Sequence, residues 1–149
     1  MRAFTRRHAI KVAFVAAFVG ANNRFAGTVV RADGPLVEIA TPDGLQLRVK
    51  PADGAEAGDA VDAFVRPEVL ELARDATGLP ASVQSFEGVV ESLLFDGASS
   101  AVLVRETRSR AQLRIALPQT GRLADLRVGE AIAFGFDPAR AMAFCAERA

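Results

Sequence analysis

An internal duplication limits what this chain can fold into more than any other feature of its sequence. Three short segments occur in the same order in both halves of the 149 residues. The matching pairs are GTVV (27–30) with GVVE (88–91), GDAV (58–61) with GEAI (129–132), and VRP (65–67) with FDP (136–138). Because a repeated pattern predicts a repeated supersecondary unit, we expect a fold built from two related halves.

The spacing of the repeats places an insertion in the second half. The first pair of glycines lies 88 − 27 = 61 residues apart, and the second pair lies 129 − 58 = 71 residues apart. Loops accept the extra residues, about ten in number, at a small entropic cost. The phase of the strands is kept, since Val61 and Val65 match Ile132 and Phe136. A slip by one residue would turn the buried face outward.

Each half predicts about five short strands. Pro42-Asp43-Gly44 is a turn signal, and in the strand that follows it Leu45, Leu47 and Val49 alternate with polar residues. The predicted strands are 25–30, 36–39, 45–49, 61–65 and 69–72, then 86–95, 101–104, 113–117, 132–136 and 142–144. Short strands with Gly and Pro turns favour small barrels or a sandwich. Two halves could close on each other or exchange strands, and either arrangement removes open edges.

Composition indicates a globular protein without a nucleic-acid partner. Half of the residues are hydrophobic, and 18 basic residues balance 18 acidic ones. Proteins that bind nucleic acid usually carry a basic excess, and this chain also has neither Trp nor Tyr for stacking on bases. The single cysteine, Cys145, excludes an internal disulfide and favours a small apolar residue in the last strand. The single histidine, His8, favours an exposed position over a ligand role.

The chain carries no recognisable catalytic, metal or cofactor motif, so we predict that it is not an enzyme. Neither Lys11 nor Lys50 follows a glycine, so the Gly-Lys-Ser/Thr cradle for phosphates is absent from this sequence. The acidic pairs Glu68 with Glu71 and Glu87 with Glu91 are more typical of solvated faces than of acid/base pairs. The arginines Arg105, Arg108 and Arg110 could meet an oxyanion, but they favour an exposed hairpin tip.

Two segments are candidates for interaction. Residues 66–68 (Arg66, Pro67, Glu68) stand where a strand must turn, and they fit either a bend with a surface ion pair or an interface contact. Near the N-terminus, Ile10, Phe14, Ala17, Phe18 and Ala21 have the spacing of one helical face, and Gly20 supplies a stop signal. The alternative is a secretory signal, because basic residues precede the apolar stretch 12–19.

The chain contains, in this order, FVAAFVG at 14–20, Asn23-Arg24-Phe25, Gly27-Thr28-Val29 and Arg66-Pro67-Glu68. These motifs resemble the transport-associated OB domain (TOBE) that follows the ATPase domain of ABC importer ATPases, with the polyamine and ferric-iron classes closest in style. FVAAFVG at 14–20, followed by Asn23-Arg24-Phe25 and Gly27-Thr28-Val29, resembles the junction into that domain. Arg66-Pro67-Glu68 is similar to the family's R-P-E element. The second half, from Gly88 to Asp137-Pro138, resembles the second part of the same region, whereas the nucleotide motifs of the family are absent.

The resemblance implies a mainly β fold of tandem OB-like barrels with a short N-terminal helix. Its implied divisions are a helix at 1–22, a first half at 23–73 and a second half at 86–145. It further implies an accessory, regulatory role in an import system without ATP hydrolysis or a cofactor. The partners it implies are a second copy, and a separate ABC ATPase or permease. The location would be cytoplasmic, at the inner face of the membrane through a transporter complex.

Pairing with a second copy would use contacts through Arg66, Pro67 and Glu68, or through Phe14 and Phe18. Two alternatives stay open at this point. One is a small-ligand binder similar to the related molybdate-binding modules. The other is an exported β-protein whose first ~20 residues are removed.

Overall fold

A computed structural model describes residues 22–96, 99–117 and 125–146, which form ten β-strands and two short 3₁₀ turns. These residues divide into two compact units. Unit 1 runs to Val65 and resumes at Pro138, and unit 2 comprises Arg66–Asp137. The mainly β character expected from the sequence is confirmed. The predicted N-terminal helix, with Phe14 and Phe18, lies outside the described residues.

Unit 1 is a closed five-stranded barrel in the order β1-β2-β3-β10-β4, with β4 returning to β1. Its strands are β1 (Asn23–Arg31), β2 (Val37–Ala40), β3 (Gln46–Pro51), β4 (Ala60–Val65) and β10 (Met142–Cys145). All pairs are antiparallel except β10 with β3, which is parallel. The alternation read from the sequence holds, since Leu45, Leu47 and Val49 are buried while Gln46 and Arg48 are exposed.

Unit 2 is a five-stranded antiparallel sheet in the order β5-β9-β6-β7-β8. Its strands are β5 (Glu71–Ala73), β6 (Gln84–Asp96), β7 (Ser99–Glu106), β8 (Gln112–Leu117) and β9 (Ala131–Phe136). Phe134 and Phe136 are buried, with 1% and 0% of their surface exposed. The ring of Phe86 stacks on both, with centroids 5.5 and 6.1 Å away. Both phenylalanines therefore belong to the core of unit 2.

Each unit contains one strand that comes from the other half of the sequence. Strand β5 follows β4 in the chain but pairs with β9, and β10 follows β9 but pairs with β4 and β3. The pairing therefore groups strands across the repeats. The bounds 23–73 and 86–145 describe the repeats in the sequence, and as domain limits they stay a prediction.

The duplication is visible in backbone detail. Gly27 lies opposite Val61 in unit 1, and Gly88 lies opposite Ile132 in unit 2. A Cβ atom at either glycine would come within 2.8 Å of a carbonyl oxygen on the neighbouring strand. Gly58 and Gly129 both have a positive φ, of 93° and 92°. The N–H of Gly58 donates to the carbonyl of Val29, and the N–H of Gly129 donates to the carbonyl of Val90, both at 2.8 Å. Both valines are buried.

Within the described part of the chain, no helix is long and apolar enough to cross a membrane.

Candidate interaction surface

The bend at residues 66–68 follows β4 directly and is held by its backbone. The N–H of Val69 donates to the carbonyl of Arg66 at 3.0 Å, and the N–H of Ala116 in β8 donates to the carbonyl of Pro67 at 3.1 Å. The ring of Pro67 is buried, whereas the side chains of Arg66 and Glu68 are exposed. The fixed backbone therefore presents one positive and one negative side chain to solvent. The interface role of this bend stays a prediction.

The arginine-rich connection between β7 and β8 is organised around a buried carboxylate. Glu106 is 3% exposed, and it accepts hydrogen bonds from the N–H groups of Arg108 and Ser109 and from the hydroxyl of Ser109. Arg110 has a φ of 66°, and its N–H donates to the carbonyl of Glu106. The turn therefore satisfies its own buried charge and places the side chains of Arg108 and Arg110 at the surface, as expected for a hairpin tip.

Arg105, at the start of that connection, belongs to a cross-strand ion pair. Its guanidinium donates to both carboxylate oxygens of Glu91, at 3.0 Å for the Nη2–Oε1 contact, and Gln112 donates to the same carboxylate. The hydrogen bonds from Arg105 and then from Gln112 hold the pKa of Glu91 below its ordinary value. The same contact raises the pKa of Arg105. Glu91 therefore forms an ion pair with Arg105 and not an acid/base pair with Glu87. Of the three arginines considered for an oxyanion, Arg108 and Arg110 are exposed, whereas Arg105 is half-buried.

An apolar patch on the outside of the unit 1 barrel was not identified from the sequence. Directly paired residues point to the same face of a sheet, and Phe64 pairs with Met142 across β4 and β10. Phe144 lies one row further on the same face, with its ring centroid 5.9 Å from that of Phe64. We call these three residues the outer patch, although only Met142 is exposed: Phe64 is half-buried, and Phe144 is buried with 9% of its surface exposed. The signal that could have found it is the position of Phe64, because the buried neighbours Ala63 and Val65 force its side chain outward.

Two cations border the outer patch. Arg24 pairs with Phe64 on the β1 side, and Lys50 pairs with Met142 on the β3 side. Arg24 also forms an ion pair with Asp62 at 2.9 Å, which neutralises a carboxylate that is only 14% exposed. Met142 is 40% exposed. Arg24, Phe64, Met142 and Lys50 thus form one row across four neighbouring strands, with a charged residue at each end and two apolar residues between them.

No group of three or more His, Cys, Asp or Glu side chains within 22–96, 99–117 and 125–146 is arranged to hold a metal ion. His8 lies outside this range. Cys145 lies in β10 and is half-buried, and its N–H donates to the carboxylate of Asp53. The candidate sites among the described residues are therefore surfaces, namely the bend at 66–68, the arginine-rich connection and the outer patch.

Comparison with known proteins gives relatives of this sequence. It is 30% identical over 136 residues to the spermidine/putrescine import ATP-binding protein PotA of Rubrobacter xylanophilus, which covers 83% of this chain and 32% of that protein. It is 32% identical over 128 residues to PotA of Pseudomonas aeruginosa strain UCBPP-PA14, which covers 83% of this chain and 35% of that protein. A third relative, PotA 1 of Pseudomonas aeruginosa, is 38% identical over 74 residues, 48% of this chain and 20% of that protein. The chain thus spans about a third or less of the length of these curated relatives.

The fold has a counterpart among solved structures. The cytoplasmic molybdate-binding protein ModG, crystallised with molybdate bound, superposes with a TM-score of 0.72 at 18% identity. The match covers 85% of this chain and 98% of that one. The family model for the TOBE domain matches residues 63–144, more than half of the chain. The resemblance drawn from the sequence motifs is confirmed, and the chain belongs to the TOBE-domain family.

Proposed function

We propose that this chain is an accessory, regulatory module of an ABC-type import system, which acts by binding other subunits and not by hydrolysing ATP. The observation that carries the proposal is its relation to import ATP-binding proteins across 83% of its length. No Gly-Lys-Ser/Thr phosphate cradle accompanies this relation in the present sequence. The module works in the cytoplasm, at the inner face of the membrane, where the subunits of such a transporter meet.

The bend at residues 66–68 is the contact that we assign to this role. Its backbone is fixed by the bond from Ala116 to the carbonyl of Pro67, so little conformational entropy is lost when it binds. The exposed guanidinium of Arg66 can pair bidentately with a carboxylate, and arginine is enriched at the centres of interfaces. The partner is a second copy of the chain or a separate ABC ATPase or permease subunit.

The test is purification of the tagged chain, after crosslinking in the cells that produce it, followed by mass spectrometry. We expect an ABC ATPase or permease subunit to be enriched, and we expect Arg66→Glu to reduce that enrichment. Arg108→Glu makes the same charge change at another exposed arginine and is the matched control. If no transporter subunit is enriched, or if both variants have the same effect, the assignment is wrong. ATP turnover that copurified with the isolated chain would also contradict the proposal.

Pairing of two copies is tested separately by light scattering at micromolar concentration. A stable homodimer needs an interface of roughly 1,200–2,000 Å² in total. We expect a dimer mass for the parent chain and a lower mass for Arg66→Glu. Zero formal net charge means that no global repulsion opposes this association. A monomer mass for the parent chain would reject the homodimer, while the transporter proposal would still rest on the crosslinking result.

A second candidate function is the binding of a small oxyanion. The observation that favours it is the match to the molybdate-binding protein ModG, which extends over 98% of that chain. Isothermal titration with molybdate, sulfate and spermidine distinguishes the two candidates. Saturable heat with molybdate alone would favour an oxyanion binder. The absence of heat with all three would leave the interaction module as the function of this chain.

A further inference from the structure

The hairpin of β6 and β7 in unit 2 is longer than the hairpin of β1 and β2 in unit 1. The first strand of each hairpin has an irregularity, and after it the ladder of unit 1 contains one further pair, Arg31 with Glu38. The ladder of unit 2 instead continues along β6 from Ser92 to Asp96. This extension therefore contains part of the insertion that the repeat spacing places in the second half.

The extension is apolar and reaches solvent. Phe95 is 76% exposed, more than any other large apolar side chain among the described residues, and its neighbours Leu93 and Leu94 are half-buried. At the same place in unit 1 the chain has an exposed turn with the sequence ADGP at 32–35. One exposed apolar side chain is ordinary on a protein surface. Phe95 differs because it lies on a strand with an open edge.

The open edge belongs to β6, on the side that faces away from β7. Strand β6 pairs with β9 from Gln84 to Val89, and the N–H and carbonyl of Val90 bond to Glu130 and Gly129. Beyond Val90, the described residues provide β6 with a ladder on the β7 side alone. An open edge is a template for another strand unless charges or proline protect it, and residues 92–95 contain neither.

This edge is complementary to itself. Two identical antiparallel strands related by a two-fold axis place one residue opposite its own copy. If that residue is Leu94, then Phe95 of one copy lies opposite Leu93 of the other. If it is Leu93, then Phe95 lies opposite Glu91, which already forms an ion pair with Arg105. The apolar sequence therefore favours the register centred on Leu94, and the uncharged segment 92–95 adds no like-charge repulsion at the centre.

We propose that residues 92–96 of two copies of this chain pair as antiparallel strands, with Leu94 at the two-fold axis. The exposed ring of Phe95 is then covered by Leu93 of the partner subunit. This contact deepens the pairing of two copies described under the proposed function and rests on it. It uses residues other than the bend at 66–68, so each contact can be altered while the other is kept.

The first test measures the dissociation constant of the dimer by light scattering over a range of protein concentrations. Phe95→Ser changes a side chain that is already exposed, and it should raise the dissociation constant roughly tenfold or more, because a central aromatic contact is lost. Val30→Ser removes another exposed apolar side chain, in unit 1, and should leave the dissociation constant unchanged. An unchanged constant for Phe95→Ser, or an equal rise in both variants, would overturn the proposal.

A disulfide experiment tests the register. In a Cys145→Ser background, Leu94→Cys should form a disulfide-linked dimer on mild oxidation, because directly opposite Cα atoms lie about 4.5–5.5 Å apart. Leu93→Cys should not, since the two copies of that residue are offset by two positions and lie about 8 Å apart. Equal crosslinking of the two variants, or none in Leu94→Cys, would reject this strand pairing.

The outcomes separate this proposal from the function on which it rests. A parent dimer that Arg66→Glu weakens and Phe95→Ser does not would overturn the strand pairing and keep the homodimer. A monomeric parent would overturn both the strand pairing and the homodimer. The transporter role would still be decided by the crosslinking of transporter subunits, which none of these variants is needed to measure.

Discussion

The two units share one arrangement of strands but differ in the side chains that fill their interiors. The comparison shows what closes a small barrel. In unit 1, β4 places Val61, Ala63 and Val65 inward, and Phe25 lies opposite Ala63. In unit 2, β9 places Ile132, Phe134 and Phe136 at the matching positions, and Phe86 lies opposite Phe134. A closed five-stranded barrel leaves little room inside, so it accepts alanine where the open sheet is filled by stacked aromatic rings.

The number of strand pairs in the described part of the chain is the other difference between the units, because unit 1 has a fifth pair that closes its barrel and unit 2 has four pairs. Unit 1 closes through the parallel pairing of β10 with β3, in which Met142 lies opposite Lys50. At the corresponding place in unit 2, the described residues show one hydrogen bond, from the N–H of Ala116 to the carbonyl of Pro67. The exchanged strand β5 therefore joins only β9 as a ladder. Closure thus depends on how far the exchanged strand extends along its second neighbour.

The largest expected effect concerns the aromatic core of unit 2. Phe134→Ala or Phe136→Ala should lower the free energy of unfolding by about 3–5 kcal/mol, because each leaves a cavity among stacked rings. Val65→Ala, at the position in unit 1 that matches Phe136, removes fewer buried carbons and should cost about 2 kcal/mol. Urea denaturation measures all three. Losses below about 1 kcal/mol for both phenylalanines would place them outside the core and remove the contrast between the units.

The next effect concerns the close strand contacts at Gly27 and Gly88. A Cβ at Gly27 would lie 2.6 Å from the carbonyl oxygen of Ala40, and one at Gly88 would lie 2.8 Å from that of Arg105. Backbone must shift in both cases, so each Gly→Ala variant should cost about 1–3 kcal/mol. Gly34→Ala is the control, since no atom lies within 4 Å of a Cβ there. A cost at only one of the two sites would show that the units tolerate crowding differently.

A smaller and equal effect is expected at the two matching turns. Gly58 and Gly129 both have φ near +92°, with open space around a Cβ, so only backbone strain opposes a side chain. Gly58→Ala and Gly129→Ala should each cost about 1–2 kcal/mol. Thermal unfolding of the two variants should therefore shift to a similar extent. A clear difference between the two shifts would contradict the structural equivalence of the turns.

The smallest expected effect is a pH dependence of stability that comes from an ion pair in unit 2. Glu91 stands at the irregular position of β6 where unit 1 has Val30 in β1. Because Arg105 lowers the folded-state pKa of Glu91, the pair stabilises the fold above the ordinary glutamate pKa, and this contribution disappears as the pH falls through the lowered value. Glu91→Gln should therefore flatten the acid limb of the stability curve slightly. Glu87→Gln removes a carboxylate from the same strand and serves as the control. If both variants change the acid limb of the stability curve equally, the ion pair does not cause the pH dependence.

Much of this architecture follows from local patterns in the sequence. The alternation in 45–49 and 61–65 predicts β3 and β4 within two residues of their observed bounds, and the repeated Gly-Asp and Gly-Glu turns predict the duplication. The motifs at Arg66-Pro67-Glu68 and Gly88 indicate the family that the comparison confirms. The edge strand β5, expected at 69–72, is observed at Glu71–Ala73, a shift of one to two residues toward the C-terminus, because a three-residue strand has little periodicity to read.

The tertiary structure alone decides which strands share a sheet. Alternation in the sequence determines that Phe134 and Phe136 are buried, and that Arg66 follows the end of a strand. It carries no information on pairing between distant segments, so it left open whether the halves close on each other or exchange β5 and β10. The outer patch was missed for the same reason, because Phe64, Met142 and Phe144 become neighbours only when β10 joins β4. Local periodicity reports which face of a strand is apolar, whereas register and partner are set by non-local hydrogen bonds and packing.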